Sequence, residues 1–185
     1  MGHPRVLDAS NAILVVVDVQ EAFRKAIPEH ALITSRIAMA VRGFRILEIP
    51  VVVTEQYPKG LGRTVEELML TLPDDFEPIE KSTFSAFGDS AFVDVLDTAE
   101  RKQIVICGVE AHVCVNQTAH DLLHNGYEVH LLTDCVASRF EADKNAGIQK
   151  MIASGAVPSS VEMALFEAMR DSRHEKFREV QAQIK

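Results

Sequence analysis

Short continuous runs of apolar residues alternate along the chain with longer segments whose apolar residues recur at helical spacing. Continuous β-branched runs are typical of the central strands of a parallel sheet, which helices cover on both faces. Apolar residues three and four positions apart predict helices that pack one face on such a sheet. The predicted strands are Ala12–Val17, Val51–Val53, Phe76–Glu80, Ile104–Cys107, Val129–Leu132 and Gly155–Val157.

The segments between these strands predict helices, some with recognisable ends, such as the Asn125-Gly126 pair, a good C-terminal stop. The alternation of strands and helices predicts an α/β three-layer sandwich, in which a six-stranded, mostly parallel sheet carries helices on both faces. The length of 185 residues favours a single domain, spanning residues 1–185. The predicted helices are Ala31–Leu47, Thr64–Leu70, Asp89 or Ser90 to about Glu100, Val113–His124, Glu141–Ala153, Ser159 or Ser160 to Met169, and Ser172–Ile184.

Composition narrows the class of protein. Apolar residues make up 47% of the chain and charged residues 25%, which is ordinary for a folded protein. The net charge is −8, and no stretch combines clustered lysine and arginine with aromatics, so we expect no nucleic-acid partner. The longest apolar run is too short to span a membrane, and the first ten residues lack a signal-peptide core. Three cysteines without CxxC spacing favour a reducing cytoplasm over a disulfide scaffold or structural zinc.

The most informative stretch is Gln103–Gln117, a buried strand followed by a glycine break and a helix start. Cys114 lies at that helix start, where N-terminal amides can lower a thiol pKa and bind a developing negative charge. Most free cysteines are buried structural residues, and Cys107, inside the strand, fits that interpretation. Cys135 follows a later strand end and could line the same face. Cys114 is therefore the candidate nucleophile.

Two further chemical groups stand at predicted strand ends. Asp18 directly follows Ala12–Val17, where a carboxylate can cap a loop, or take a thiol proton and return it to a leaving amine. Lys81 follows the third strand; most lysines are surface charges, but this cation could stabilise a thiolate and orient Asp18. In parallel sheets, ligands bind beyond the carboxyl ends of the strands, where strand order reverses. Asp18, Lys81 and Cys114 would all lie at that edge.

These residues also resemble a known family, from about Asn11 to the C-terminal helices. The segments that carry the resemblance are LVVVDVQEAF (Leu14–Phe23), EKSTFSAF (Glu80–Phe87) and CGVEAHVCVNQTAHDLL (Cys107–Leu123). They are similar to the three signature segments of the isochorismatase-like cysteine hydrolases. The loop TEQYPKGLG (Thr54–Gly62) resembles the branch of isochorismatase-domain proteins that lack a metal-binding motif.

The resemblance implies a six-stranded parallel sheet of Rossmann-like topology and a triad of Asp18, Lys81 and Cys114. It implies a non-proline cis peptide at Val109–Glu110, and an oxyanion site formed by the backbone N–H groups of Glu110 and Cys114. The implied pocket walls are Gln20, Phe23, Tyr57 and Phe84.

The resemblance also bears on cofactors. Metal-dependent nicotinamidases of the superfamily hold a metal through an Asp-x-His pattern and a further histidine after the second strand. Here that loop reads Glu55, Gln56, Tyr57, without histidine. We therefore expect no metal and no cofactor.

The retained Cys114 favours hydrolysis of a small amide or related C–N substrate through a thioester. Two alternatives stay open: a non-catalytic ligand-binding or assembly module on the same fold, and a metal-dependent nicotinamidase. The resemblance implies a homo-oligomer, a dimer or larger, with a small-molecule substrate and no membrane partner. The predicted helix Ser172–Ile184, with Phe177, Val180 and Ile184 along one side, could contact a partner subunit or pack on its own domain.

Overall fold

The computed structural model describes His3 and residues 5–185, whose six strands form a single parallel sheet. Neighbouring strands follow the order β3-β2-β1-β4-β5-β6, and every neighbouring pair is parallel. The predicted fold class is therefore confirmed. The strands are β1 (Ala12–Val17), β2 (Val51–Gln56), β3 (Ile79–Lys81), β4 (Gln103–Val109), β5 (Glu128–Ala137) and β6 (Val157–Ser159).

Helices cover both faces of this sheet. The helices α1, α7 and α8 pack on one face, and α4, α5 and α6 pack on the other. In the part of the chain that the structure describes, no helix is long and apolar enough to cross a membrane. The helices are α1 (His30–Ile46), α2 (Pro58–Leu61), α3 (Glu66–Met69), α4 (Ser90–Ala99), α5 (Asn116–His124), α6 (Glu141–Ala153), α7 (Val161–Met169) and α8 (Phe177–Ile184).

The strand β1 shows why the sequence reads as a continuous apolar run. Its alternate residues point to opposite faces, so Leu14 and Val16 join the core under α1 while Val15 and Val17 join the core under α4 and α5. All of them are fully buried. Because two layers of helices require apolar contacts from both faces, β1 carries no polar residue, and Asp18 follows its carboxyl end, where the candidate site lies.

Several boundaries differ from the sequence prediction. The third strand spans Ile79–Lys81 rather than Phe76–Glu80. It begins after Pro78, which lacks a backbone N–H and is disfavoured in a ladder, and it pairs only with β2. As a result Lys81 lies in the strand instead of following it. The sixth strand, Val157–Ser159, lies two residues later than predicted.

The C-terminal helix is shorter than predicted and begins at Phe177. Its Val180 is fully buried in the core under α1 and α7, and the Phe177 ring lies 6.1 Å from the ring of Phe166 in α7. The structure therefore favours packing of this helix on its own domain, because its apolar side is already covered there. The predicted helix Thr64–Leu70 likewise shortens to Glu66–Met69.

The order of the strands reverses between β1 and β4. From β1 the chain proceeds outward through β2 and β3, and then crosses back to β4 and proceeds outward on the other side. This reversal leaves a crevice at the carboxyl ends of β1 and β4, where loops leave in opposite directions. Asp18 follows β1 at that crevice, and the Cys114 segment follows β4.

A glycine permits the close approach of these two strands. Gly108 of β4 pairs with Val17 of β1, and its φ angle is +120°. A Cβ added at Gly108 would lie 2.1 Å from the carbonyl oxygen of Val17, far inside contact distance. The β4 end therefore requires glycine for two reasons, its backbone conformation and the adjacent backbone.

We expect Gly108→Ala to lower the free energy of unfolding by more than about 4 kcal/mol, because strain and a backbone clash combine. Gly126→Ala is the matched control, since Gly126 also has a positive φ (+80°) but a Cβ there would meet nothing within 4 Å. The control should cost only about 1–2 kcal/mol, from backbone conformation alone. Chemical denaturation of both variants measures the difference, and equal losses would contradict the close-approach explanation.

Candidate active site

Asp18 is the first residue beyond β1, and its backbone has a left-handed φ of 54°. Its side chain is fully buried. One carboxylate oxygen, Oδ1, accepts a hydrogen bond from the Thr54 hydroxyl at 2.7 Å, and Oδ2 accepts one from Lys81 Nζ at 2.6 Å. The backbone N–H of Asp18 donates to the Thr54 carbonyl at 3.1 Å. Neighbouring strands thus fix both the backbone and the carboxylate of Asp18.

Lys81 reaches this carboxylate from β3, across the intervening strand β2. In the described part of the chain its ammonium has four acceptors: Asp18 Oδ2 at 2.6 Å, Gln56 Oε1 at 2.8 Å, and the carbonyls of Thr83 and Phe84, each at 3.2 Å. The side chains of both Lys81 and Asp18 are 0% exposed. Removing one partner of a buried pair typically costs about 3–5 kcal/mol, because the remaining charge is left uncompensated.

Cys114 lies in a single π-helical turn, Ala111–Val115, between β4 and α5. The carbonyl of Glu110 accepts the N–H of Val113 at 3.1 Å and that of Val115 at 3.2 Å, and this wide turn directs the following residues into α5. The peptide bond between Val109 and Glu110 is cis. Single π turns inside helices are frequent at functional sites.

Cys114 is only 6% exposed, and the charges of Asp18 and Lys81 both act on the pKa of its thiol. Burial raises the pKa of this thiol to about 12, the negative charge of Asp18 and its hydrogen bond to the thiol add to the rise, and the Lys81 charge opposes it. The sequence raised the possibility of a lowered thiol pKa, whereas burial and the neighbouring carboxylate act in the opposite direction. The raised pKa favours the protonated thiol.

Two side-chain contacts anchor the cysteine turn to the loop after β5. The carboxylate of Glu110 accepts hydrogen bonds from the backbone N–H of Arg139 at 3.1 Å and from its Nε at 3.0 Å. A ring nitrogen of His112 lies 2.9 Å from the Ser138 hydroxyl. A Cβ added at Gly147 of α6 would lie 2.9 Å from the Ala111 carbonyl oxygen, so α6 also packs directly against this turn.

The four residues predicted as pocket walls occupy different environments. Tyr57 and Phe84 are 60% and 55% exposed, and both adjoin Lys81: the Tyr57 N–H donates to the Lys81 carbonyl, and the Phe84 carbonyl accepts from Lys81 Nζ. Gln20 is fully buried, with its amide bonded to the backbone of Gln56 and Gly62. Phe23 packs against the core under α1, whereas Cys114 belongs to the core on the opposite face.

Two residues of β2, Thr54 and Gln56, contact the site and were not identified from the sequence. Thr54 bonds to Asp18, and Gln56 bonds to Lys81. A signal was available, because both continue the apolar run Val51–Val53 beyond its carboxyl end, where the other candidate residues gather. The observed strand extends to Gln56, which brings both side chains to the face that holds Cys114.

The loop that carries the metal ligands in nicotinamidases has a different role here. The carboxylate of Glu55 is occupied by the N–H and hydroxyl of Thr64, at 2.6 and 2.8 Å, and by Arg63 at 3.0 Å. The amide of Gln56 is occupied by Lys81 and by the Ser82 carbonyl. Among His3 and residues 5–185, no three His, Cys, Asp or Glu side chains are grouped to hold a metal ion. The residues present therefore do not fit a metal of that kind.

Comparisons with known proteins agree with this geometry. The Isochorismatase domain model matches residues 12–163. The chain is 35% identical over 175 residues to isochorismatase domain-containing protein 2 of Danio rerio, covering 95% of this chain and 87% of that protein. A Caenorhabditis elegans structure described as MAR1 ribonuclease has a TM-score of 0.92 at 36% identity, covering 97% and 92% of the two chains. The YcaC product of Escherichia coli, described as an octameric hydrolase of unknown specificity, has a TM-score of 0.86 at 21% identity, covering 100% and 98%, and supports the fold alone.

We expect Asp18→Asn to lower the pKa of the Cys114 thiol, because it removes a negative charge that raises that pKa and leaves the Lys81 cation to favour the thiolate. Lys81→Met should act in the opposite direction. The measurement is a pH titration of ultraviolet thiolate absorbance, with Cys114→Ser as the blank. Burial also raises the pKa values of Cys107 and Cys135, and the Cys114→Ser blank subtracts any absorbance that they contribute. A midpoint that neither substitution moves would show that these charges do not act on the thiol.

Proposed function

Because the chain belongs to the isochorismatase family, we propose that it is a cysteine-dependent hydrolase of a small amide or related C–N substrate. Family membership supports the hydrolase role. The observation that carries the finer proposal is the buried Asp18–Lys81 ion pair at the switch point of the sheet, whose charges act on the nearby Cys114 thiol. A thiol, a carboxylate that can take its proton and a buried cation are the groups that nucleophilic acyl transfer requires.

The first half of the reaction would form a thioester. The Asp18 carboxylate takes the Sγ–H proton of Cys114 as the sulfur attacks the substrate carbonyl carbon. The carbonyl π electrons move to its oxygen, and we propose that the backbone N–H groups of Glu110 and Cys114 bind that oxyanion. As the C–N bond breaks, the Asp18 carboxyl returns the proton to nitrogen, and ammonia or an amine leaves.

The second half would release the acid. Asp18, again a carboxylate, takes a proton from water while the water oxygen attacks the thioester carbonyl. The tetrahedral intermediate collapses with cleavage of the C–S bond, and the sulfur recovers its proton from Asp18. The enzyme returns to the protonated thiol.

The raised thiol pKa supports this division of work. With a pKa of about 12, Cys114 holds almost no thiolate near neutral pH, so the proton must move as the sulfur attacks. Asp18 is the base we propose for this step, because it acts on the pKa of the thiol and its carboxylate is already oriented by Thr54 and Lys81. Lys81 would favour the transferred charge without taking part in the proton transfer.

RNA is a second candidate substrate, because a protein of 36% identity is described as a ribonuclease. The net charge of −8 disfavours it, since polyanions bind through clustered cations. A ligand-binding module without catalysis is the third candidate. The deep burial of the thiol is compatible with it, because an inert structural cysteine would also be buried.

A mass-spectrometric screen of small amides and a labelled RNA, run with the native protein and with Cys114→Ser, tests the proposal. We expect an amide to be hydrolysed by the native protein and its turnover to fall by roughly 10³-fold or more in Cys114→Ser. Cys107→Ser is the matched control, since this buried cysteine lies in the core of the opposite face, and it should retain activity. Its thiol donates a weak hydrogen bond to the Val15 carbonyl at 3.7 Å.

Other outcomes of the screen would favour a different function or mechanism. Turnover of an amide that survives Cys114→Ser would reject the thioester mechanism. Cleavage of RNA without turnover of any amide would favour the ribonuclease interpretation. Binding of small molecules without turnover would favour the module.

We also propose that the protein is a cytoplasmic homo-oligomer. All three cysteines are unpaired, which suits a reducing compartment, and a protein of the same fold is described as octameric. Large apolar side chains such as Leu70 and Phe140 are 78% and 65% exposed and would be covered by self-association. We expect light scattering after size exclusion to give a mass at least twice the 20.5 kDa of the chain. A monomer at all concentrations would reject this.

A further inference from the structure

The Gln56 side chain bonds directly to Lys81 in the candidate site, but the proposed reaction gives it no role. It is the last residue of β2, it is buried, and its side chain lies between Lys81 and the loop that follows β3. Its Oε1 accepts from Lys81 Nζ at 2.8 Å, and its Nε2 donates to the Ser82 carbonyl at 2.7 Å. Because an ammonium only donates and a carbonyl only accepts, these two partners fix the orientation of the amide.

Hydrogen bonds with the Gln20 side chain also fix the backbone of Gln56. The side-chain oxygen of Gln20 accepts the Gln56 N–H at 2.8 Å, and Gln20 Nε2 donates to the Gln56 carbonyl at 3.0 Å and to the Gly62 carbonyl at 2.7 Å. A buried glutamine that satisfies another residue's backbone on both sides is a rigid support. The position of the Gln56 oxygen is therefore set before any substrate arrives.

The fixed Gln56 oxygen in turn limits the directions in which the Lys81 N–H groups can point. An ammonium has three donors, and within the described residues Lys81 already has four acceptors. Gln56 takes one of the two shortest of these bonds, and Asp18 takes the other. A lysine held in this way can donate to a substrate oxyanion only by giving up one of its existing bonds in a buried site, which is costly.

We infer that Gln56 is a positioning residue: it holds the Lys81 ammonium against Asp18, directs it away from the substrate, and thereby sets the reactivity of Cys114. The inference rests on the proposed function in treating Cys114 as the reacting group. Reactivity of the thiol can be measured without turnover, so failure of the inference and failure of the proposed hydrolase are separate outcomes.

The test is the rate of Cys114 alkylation by iodoacetamide at a fixed pH below the pKa of the thiol, measured by mass spectrometry of its peptide. In Gln56→Met the ammonium loses one of its two shortest bonds, so it is held less firmly and can turn toward the thiolate. Alkylation should therefore become about fivefold faster. In Gln56→Glu an added negative charge beside Lys81 disfavours the thiolate, so alkylation should become about fivefold slower. Opposite directions at one position separate positioning from general damage, which would move both rates alike.

A double-mutant cycle identifies Lys81 as the intermediary. In a Lys81→Met background, Gln56→Met should change the alkylation rate by less than about twofold, because the group it acts through is gone. Gln183→Met is the matched control for glutamine-to-methionine exchange, since Gln183 lies on α8 and bonds to Arg42. It should leave the rate unchanged.

Two results would overturn the inference: rates that move in the same direction in both Gln56 variants, or an undiminished effect of Gln56→Met without Lys81. Circular dichroism checks that each variant is folded. Gln56→Glu keeps the acceptor oxygen and decides the question if Gln56→Met does not fold, since an unchanged or faster rate in Gln56→Glu would also overturn it.

Discussion

The buried ion pair between Asp18 and Lys81 is the constraint that organises this site. Its two members come from strands that are not neighbours, so the pair can form only if β1, β2 and β3 lie side by side in register. Two fully buried charges must be compensated by direct contacts. The fold supplies these from the strand between them, where Thr54 bonds to the carboxylate and Gln56 to the ammonium.

The charges of this pair also act on the pKa of the Cys114 thiol. In isolation a thiol at a helix start would be expected to ionise more easily. Here the thiol is buried and faces a carboxylate, and both raise its pKa, whereas the lysine opposes them only in part. A raised pKa favours the protonated form of the Cys114 thiol. Under the proposed function, a substrate would have to be positioned before this thiol could attack it.

The fold class, the strand-end edge and the three candidate groups could be predicted because they follow from local patterns. Continuous apolar runs identify strands that are buried on both faces, and parallel strands bring their carboxyl ends to one edge. The sequence places Thr54 and Gln56 near this edge, but their contacts could not be predicted, because they depend on β2 extending three residues beyond its apolar run to pair with β3. The pKa of Cys114 could not be predicted either, since burial and the distance to Asp18 are tertiary properties.

The two faces of the sheet explain why only one of the three cysteines is a candidate. Cys107 and Cys135 join the core under α1 and α7, where neither the Asp18 carboxylate nor the crevice can be reached. Cys114 lies in the core of the other face, at the point where β4 ends and the π turn begins. Gly108 permits β4 to lie close against β1 immediately before that point. The position of the thiol beside Asp18 therefore depends on backbone packing between two central strands as much as on the chemistry of the residues themselves.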